Sequence, residues 1–530
     1  MESARLLVDL LGKDRASVTE LLEARCRATP DAPFVRHQSG RWTYGGAWEE
    51  MRRFAGFLSV HVEPRPRVAM YLSKRPEALW AWFGTTLAGG IHVALNRAHK
   101  GELLADMARR SKAKLLVTEE SAWASLPDPA RCGFSRVLFV DAAPRNAHVQ
   151  GVELLDWDAV RRAPPGAIVP SAPSDTASLL YTSGTTGRSK AVLVPHNMYA
   201  RGGANVAAAF EFKPKDVIHD WAPLSHIGGQ MHMTLAAVSS GACLAQYDTF
   251  SRTRFWDQIA ESRATAFFGF SNVLSLLMMA PEGPADRRHT LRVGLVAHMQ
   301  EKAQLAFEAR FGVKLWDTYG MSEGEPMTLP AQGVPPGCSG APGPDFELAI
   351  ADENDNPLPA GEVGRIVMRP KVADVMMKAY EDDDDATLDA WRNLWFHTQD
   401  LGRLDERGFL WYVDRLKHSI RRAGENISSA EVERALKAHP DVHDCAVVGV
   451  PDPLTVEAVK AVVVPRAGAS LDAPSLHAYA AREMARFMVP RYIEIRAVLP
   501  YTDVGKVKRD ELHAPGPGLW DAEEPGRDRL

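Results

Sequence analysis

Tyr181-Thr182-Ser183-Gly184-Thr185-Thr186-Gly187-Arg188-Ser189-Lys190 joins two short apolar runs, residues 177–181 and 191–194. Both runs have strand length and apolar continuity, so the segment reads as strand, loop, strand. Gly184 and Gly187 permit positive φ and close backbone approach. Thr182, Ser183, Thr185 and Thr186 add hydroxyls, and Lys190 adds a cation. Backbone amides, hydroxyls and one positive charge suit a polyphosphate. The widespread nucleotide loop instead needs Gly-x4-Gly-Lys-Ser/Thr opening a helix. Here Ser189 precedes the lysine, Ala191 follows it, and a strand comes next. Taken alone, the stretch is equally a polar hairpin turn.

Upstream, residues 67–72 and 113–117 are further apolar runs of strand length. Ser17 and Glu20 stand at capping-box spacing ahead of a helical pattern. Strands separated by helical runs indicate α/β layers. Residues 78–95 carry no Asp, Glu, Lys or Arg. That is about the minimum length for a membrane span, but Gly84, Gly89, Gly90 and His92 interrupt it. A buried helix, a Gly-Gly turn and a short strand are the preferred reading. Residues 381–385 are an acidic run, read as a solvated loop. From residue 408 the pattern changes. Strands at 409–413, 445–450 and 458–464 alternate with helices opened by the Ser428–Glu431 spacing and at 473–484, forming a compact α+β module. Its joint with the body falls at residues 414–417. A Pro/Gly-rich tail from about 514 is expected to be mobile.

With 530 residues the chain exceeds one ordinary core. Apolar residues are 45% and charged residues 24%, which are globular values. A net charge of -5 gives no basic excess for nucleic acid or an anionic membrane. Five scattered cysteines read as reduced thiols, and residues 1–15 lack a signal-peptide apolar core, so the expected location is cytoplasmic.

Three later motifs add chemistry. Tyr319-Gly320-Met321-Ser322-Glu323 sets an aromatic, a glycine, a hydroxyl and a carboxylate after a strand at 314–316. Asp400 closes Trp395-Phe396-His397-Thr398-Gln399-Asp400. Asp414-Arg415-Leu416-Lys417 and Gly505-Lys506 place cations at the joint and near the end. In this order, from about residue 17 to residue 510, the chain resembles the acyl-adenylate-forming superfamily of acyl-CoA synthetases, adenylation domains and insect-type luciferases. The stretches at 222–230, 300–312 and 484–495 are most similar to the crotonobetaine/carnitine–CoA ligase type.

The resemblance implies a large multi-layer α/β body of mixed sheets packed with helices, residues 1–414, and a small mobile α+β domain, residues 415–530. It implies an ATP-dependent acid–CoA ligase that forms acyl-AMP and then acyl-CoA, with ATP, Mg²⁺ and coenzyme A as cofactors and a small-molecule carboxylic acid as partner. Residues 182–190, including Thr182, Ser183, Gly184, Thr185, Thr186, Gly187 and Lys190, would hold the β- and γ-phosphates. Tyr319 would stack on adenine and Ser322 would lie near the α-phosphate. Glu323 would hold Mg²⁺ with the Thr182 hydroxyl. Asp400 and Arg415 would bind the ribose. Lys506 would bridge the attacking carboxylate and the α-phosphate. Lys417 would be the hinge, and Gly424 and Glu425 would line the coenzyme A tunnel. His226 would gate an acyl pocket containing Trp221, Phe268, Phe270, Val296, Gly320 and Met321; a backbone-bonded core histidine is its plainer reading.

Ala191, Gln399, Val456 and residues 296–299 depart from the superfamily pattern, which bears on pocket shape. A stand-alone enzyme loading a separate carrier protein is the alternative function. A silent binding protein is a third, opposed by intact Lys506, Glu323 and Asp400. No nucleic-acid partner and no membrane span are expected, and a homodimer is left open.

Overall fold

The computed structural model describes residues 7, 9–144, 148–182, 189–284, 286–297, 299–416, 419–422, 425–452, 456–484, 488–502 and 506–522; for several of these, including Arg415, Arg421 and Glu425, only the backbone is described. The chain divides into two compact units. Unit 1 is Met1–Leu348, Met368–Phe396 and Arg407–Leu410, and unit 2 is Ala349–Val367, His397–Glu406 and Trp411–Leu530.

Unit 1 contains two seven-stranded sheets. In the first, the order is Lys314–Trp316, Val293–Ala297, Ala266–Phe270, Val217–Asp220, Cys243–Gln246, Pro33–His37 and Gly40–Thr43. Only the last pair is antiparallel. The strands Ala266–Phe270 and Val293–Ala297 are continuous apolar runs because both faces are covered. Their shared direction brings Trp221, Phe270 and the Asp317–Tyr319 segment to one carboxyl edge, where open α/β sheets bind ligands. In register, Phe268 faces Leu295 and Phe270 faces Ala297.

The second sheet runs Glu153–Asp156, Arg136–Phe139, Leu115–Thr118, Arg67–Tyr71, Ile91–Ala94, Thr176–Thr182 and Lys190–Pro195. The final two strands are antiparallel, with Thr182 opposite Lys190. The expected loop therefore joins neighbouring strands of a hairpin. The uncharged stretch is the buried helix Pro76–Leu87, a glycine turn and the strand Ile91–Ala94. Ser17 makes both bonds of its capping box with Glu20. Among the described residues, no helix is long and apolar enough to cross a membrane.

The acidic run is solvated in part: Asp382, Asp384 and Asp385 are exposed, while Glu381 and Asp383 are engaged. Glu381 pairs with Arg67 at 2.8 Å and Lys112 at 3.0 Å. Asp383 accepts from Ala386 N and caps the helix Asp384–Ala390. Charge partners more than 250 residues upstream make the difference.

In unit 2, Val442–Asp452 and Val456–Pro465 form a long antiparallel pair. Val447, Val459, Ala461 and Val463 pack into one cluster; Val448, Val450, Ala458 and Val462 pack into another. Burial on both faces explains the unbroken apolar runs. The strands Glu425–Ser428, Ser419–Arg422, Tyr492–Ile495 and Trp520–Asp521 complete this sheet. The helix Ser429–Lys437 begins one residue after the expected Ser428 cap, and Asp414 Oδ2 accepts from Ala430 N at 3.1 Å and Ser429 Oγ at 2.7 Å. Residues 514–522, read as part of a mobile tail, are held in place. Trp520 pairs with Ile493, and Arg491 donates to both carboxylate oxygens of Asp521 at 3.0 Å.

Candidate functional site

The strand Lys314–Trp316 ends at a loop fixed by its own backbone. Tyr319 N donates to Thr328 Oγ1 at 2.8 Å, and Tyr319 O accepts from Met327 N at 2.9 Å. The Tyr319 ring is buried. Met321 and Gly324 exchange two backbone bonds of 3.0 Å, a tight turn that carries Ser322 and Glu323. A Cβ at Gly320 would collide with both carboxylate oxygens of Glu325, so a side chain here must displace that carboxylate.

Glu323 is largely buried. Its Oε1 accepts from the Tyr380 hydroxyl at 2.7 Å, and its carbonyl accepts from Met377 N at 2.7 Å. The Lys190 ammonium lies 4.6 Å from the centre of the Tyr380 ring. One side chain thus touches the cation and the carboxylate expected to serve ATP. Tyr380 is itself fixed by backbone bonds, because Leu193 N donates to Ala379 O, Lys378 N to Leu193 O, and Glu381 N to Ala191 O at 2.8–3.0 Å. Burial, and next the Glu323 charge, push its phenol well above the ordinary tyrosine range, so it remains a proton donor. The sequence reading missed Tyr380. An aromatic residue directly before the acidic run was the available signal.

Thr182 ends its strand half-buried. Ser183, Gly184, Thr185, Thr186 and Gly187 lie outside the described residues. Among the described residues, no group of three or more His, Cys, Asp or Glu forms a metal cage. A phosphate-bound Mg²⁺ does not need one, since it keeps waters and takes one or two carboxylates. Glu323 and the Thr182 hydroxyl are both hard oxygen donors, so this donor set fits such an ion.

The expected acyl-pocket residues form an aromatic cluster. Trp221 Nε1 donates to Phe268 O at 2.7 Å. Phe268 meets Phe270 edge-on at 5.2 Å, and Phe270 meets His226 edge-on at 5.5 Å. His226 Nδ1 accepts from Gly228 N at 3.0 Å, which assigns the proton of the neutral ring to Nε2. A Cβ at Gly228 would lie 2.8 Å from Phe268 Cζ, so glycine lets the chain pass the aromatic cluster. Val296 is fully buried beside Gly269. From Gly228 to Leu235 the helix is of the wide π type, which occurs frequently at functional sites.

Two buried pairs around this cluster had no sequence signal. His232 Nε2 meets Glu325 Oε1 at 2.7 Å, and its ring lies 5.2 Å from Phe268. Lys74 binds Asp220 and the carbonyl of Ala222 immediately before Pro223, with both charged side chains fully buried. Burial lowers the Lys74 pKa and raises that of Asp220, each against the pull of its partner.

The remaining expected residues belong to unit 2. Asp400 is buried within the strand Trp395–Leu404 and not at its end. Its neighbour Gln399 has φ +61°, a left-handed conformation that favours glycine, which is the residue usual there in the superfamily. Arg415 ends the strand Leu410–Arg415. Lys417 and Gly424 lie outside the described residues. Glu425 opens a hairpin strand opposite Arg422. Lys506 is exposed; its N–H donates to Thr502 Oγ1 at 3.0 Å and its carbonyl accepts from Thr502 N at 2.6 Å.

Residues 22–380 match the AMP-binding enzyme family, and residues 431–506 match the AMP-binding enzyme C-terminal domain. The crotonobetaine/carnitine–CoA ligase of Citrobacter koseri is 32% identical over 488 residues, covering 89% of this chain and 93% of that protein. The ligase of the same name from Salmonella typhimurium is 32% identical over 486 residues, with the same coverage. ATP-bound MatB from Rhodopseudomonas palustris has the same fold at TM-score 0.83 and 24% identity, covering 96% of this chain and 98% of that one. The anthranilate CoA ligase AuaEII, solved with anthranoyl-AMP, does so at TM-score 0.84 and 21% identity, covering 94% and 96%. On the family match and the curated relatives together, this chain belongs to the AMP-binding enzyme family, the acyl-adenylate-forming ligases.

Proposed function

We propose that the chain is an ATP-dependent carboxylic acid–CoA ligase. The carrying observation is that Lys190 and Glu323, a phosphate-binding cation and a metal-binding carboxylate in this reading, meet on one buried tyrosine. In the first half-reaction a carboxylate oxygen attacks the α-phosphorus of ATP and pyrophosphate leaves. In the second, the coenzyme A thiol loses its proton and attacks the acyl carbon, and the bond to AMP breaks. No covalent enzyme nucleophile is required, so positioning and charge neutralisation supply the catalysis. Residues 182–190, with the Lys190 ammonium, hold the β- and γ-phosphates. Glu323 and the Thr182 hydroxyl would hold Mg²⁺, which would supply further charge neutralisation. Tyr319 and Ser322 face the adenosine and the α-phosphate, and Asp400 and Arg415 bind the ribose. Lys506, in a small domain beginning at residue 415, approaches the attacking carboxylate. Lys417 is the hinge of that domain, and Gly424 and Glu425 line the thiol tunnel.

The curated relatives are named for crotonobetaine and carnitine. Trp221, Phe268 and Phe270 offer π faces suited to a quaternary ammonium, and equally to a bulky apolar acid. A panel of betaine-type, aromatic and short aliphatic acids tests the assignment, scored by acid-dependent pyrophosphate exchange and by AMP release with and without coenzyme A. AMP release that requires coenzyme A supports the ligase. Exchange without coenzyme A turnover for every acid favours loading of a separate carrier protein and overturns it.

A further inference from the structure

We propose that Tyr380 is a positioning residue that couples the phosphate-binding and metal-binding halves of the ATP site, its ring seating Lys190 and its hydroxyl orienting Glu323. The inference rests on the reading that Lys190 and Glu323 serve ATP. The two groups stand on distant parts of the chain: Lys190 opens a hairpin strand of one sheet, and Glu323 sits on the turn after an edge strand of the other. Tyr380 reaches both, at 4.6 Å from its ring centre to the ammonium and 2.7 Å from its hydroxyl to Oε1.

The backbone under Tyr380 has the same two attachments. Lys378, Ala379 and Glu381 bond to Leu193 and Ala191 on the Lys190 strand, and Met377 N donates to Glu323 O. A shift of either half is therefore transmitted to the other through residues 377–381. The side chain adds a chemical constraint. With the phenol donating to Oε1, the Glu323 carboxylate is held in one orientation. The ring holds Lys190 by a cation–π contact.

The two arms separate by substitution. Tyr380→Phe keeps the ring and removes the hydroxyl; Tyr380→Leu removes both. Mn²⁺ is the metal probe, titrated by electron paramagnetic resonance with α,β-methylene ATP present. Nucleotide binding without metal is measured by calorimetry in EDTA with the same analogue. Tyr380→Phe is expected to weaken Mn²⁺ binding about tenfold, as for loss of a hydrogen bond to a charged group, with metal-free nucleotide affinity within about twofold of the parent. Tyr380→Leu is expected to weaken both. Glu323→Gln and Lys190→Gln are the controls. Glu323→Gln with parental Mn²⁺ affinity would remove the metal role of Glu323 and this proposal with it. Weak Mn²⁺ binding in Glu323→Gln but parental binding in Tyr380→Phe overturns the hydroxyl arm alone. Parental metal-free nucleotide affinity in Tyr380→Leu, where Lys190→Gln lowers it, overturns the ring arm. A matched near-ultraviolet circular dichroism spectrum for Tyr380→Phe excludes misfolding as the cause of a loss.

Discussion

Gly320 lies against the carboxylate of Glu325, which is buried and held by His232 at 2.7 Å. A methyl group at residue 320 must displace this carboxylate. The far end of a glutamate is usually free to move, but here movement breaks its bond to a buried imidazole. Gly320→Ala is expected to destabilise unit 1 by about 1–3 kcal/mol, the range for leaving a buried polar group unsatisfied, and to lower adenylation by disturbing the Tyr319 loop. In a Glu325→Ala background the same substitution should have a much smaller effect. Urea denaturation of the four proteins of this double-mutant cycle checks it, and additive losses would show that the two residues act independently.

The Lys74–Asp220 pair has both side chains fully removed from solvent. Breaking such a pair leaves an uncompensated charge, at a cost of about 3–5 kcal/mol. Lys74→Met is expected to lose stability in that range. Lys74→Met with Asp220→Asn should recover much of it, because no lone charge remains. Denaturation midpoints decide this, and a double variant as unstable as the single one would assign the loss to packing.

These relationships mark the limit of what local pattern carries. The hairpin at 176–195 was legible because two apolar runs flank a Gly/Thr loop, and the 319–323 motif because its residues are contiguous. The aromatic cluster was expected only through the family resemblance, because the parallel strands that bring its members to one edge are set by the fold. Tyr380–Glu323, His232–Glu325 and Lys74–Asp220 join residues 57, 93 and 146 positions apart. Periodicity and motif spacing contain no term for such separations. The same limit explains Glu381, which looks solvated beside four aspartates until Arg67 and Lys112 are brought to it. Residues 514–522 were misjudged for a related reason. Pro and Gly suggested a free tail, while the determining contact was Trp520 beside Ile493 on a strand already in place.

Three buried histidines set an acid limit on stability. Burial lowers the pKa of His92 to about 3 and those of His196 and His219 to about 4. The unfolded chain protonates each near pH 6.5, while the native state stays neutral. As pH falls below that value, the unfolded state binds protons that the native state does not, so stability falls. Between pH 6.5 and 5 the loss is about 2 kcal/mol per histidine. Urea midpoints should therefore drop steeply across this window, and His92→Gln should reduce the slope. A flat profile from pH 7 to 5 would contradict the neutral burial of these rings.

Lys506 provides the sharpest separation of the two half-reactions. It is exposed, and its backbone rather than its side chain bonds to Thr502, so replacing the side chain leaves those bonds intact. In the proposed mechanism its ammonium is needed only while a carboxylate approaches the α-phosphate. Transfer from a formed acyl-AMP to a thiol brings no second anion to phosphorus. Lys506→Ala is expected to slow acid-dependent pyrophosphate exchange on the order of 100-fold, as for loss of a transition-state charge donor. Thiolation of supplied acyl-AMP by coenzyme A should fall by no more than a few-fold. Because the side chain is exposed, the melting temperature should be nearly unchanged. Equal losses in both half-reactions, with the fold intact, would show that Lys506 does not act in the adenylation step alone.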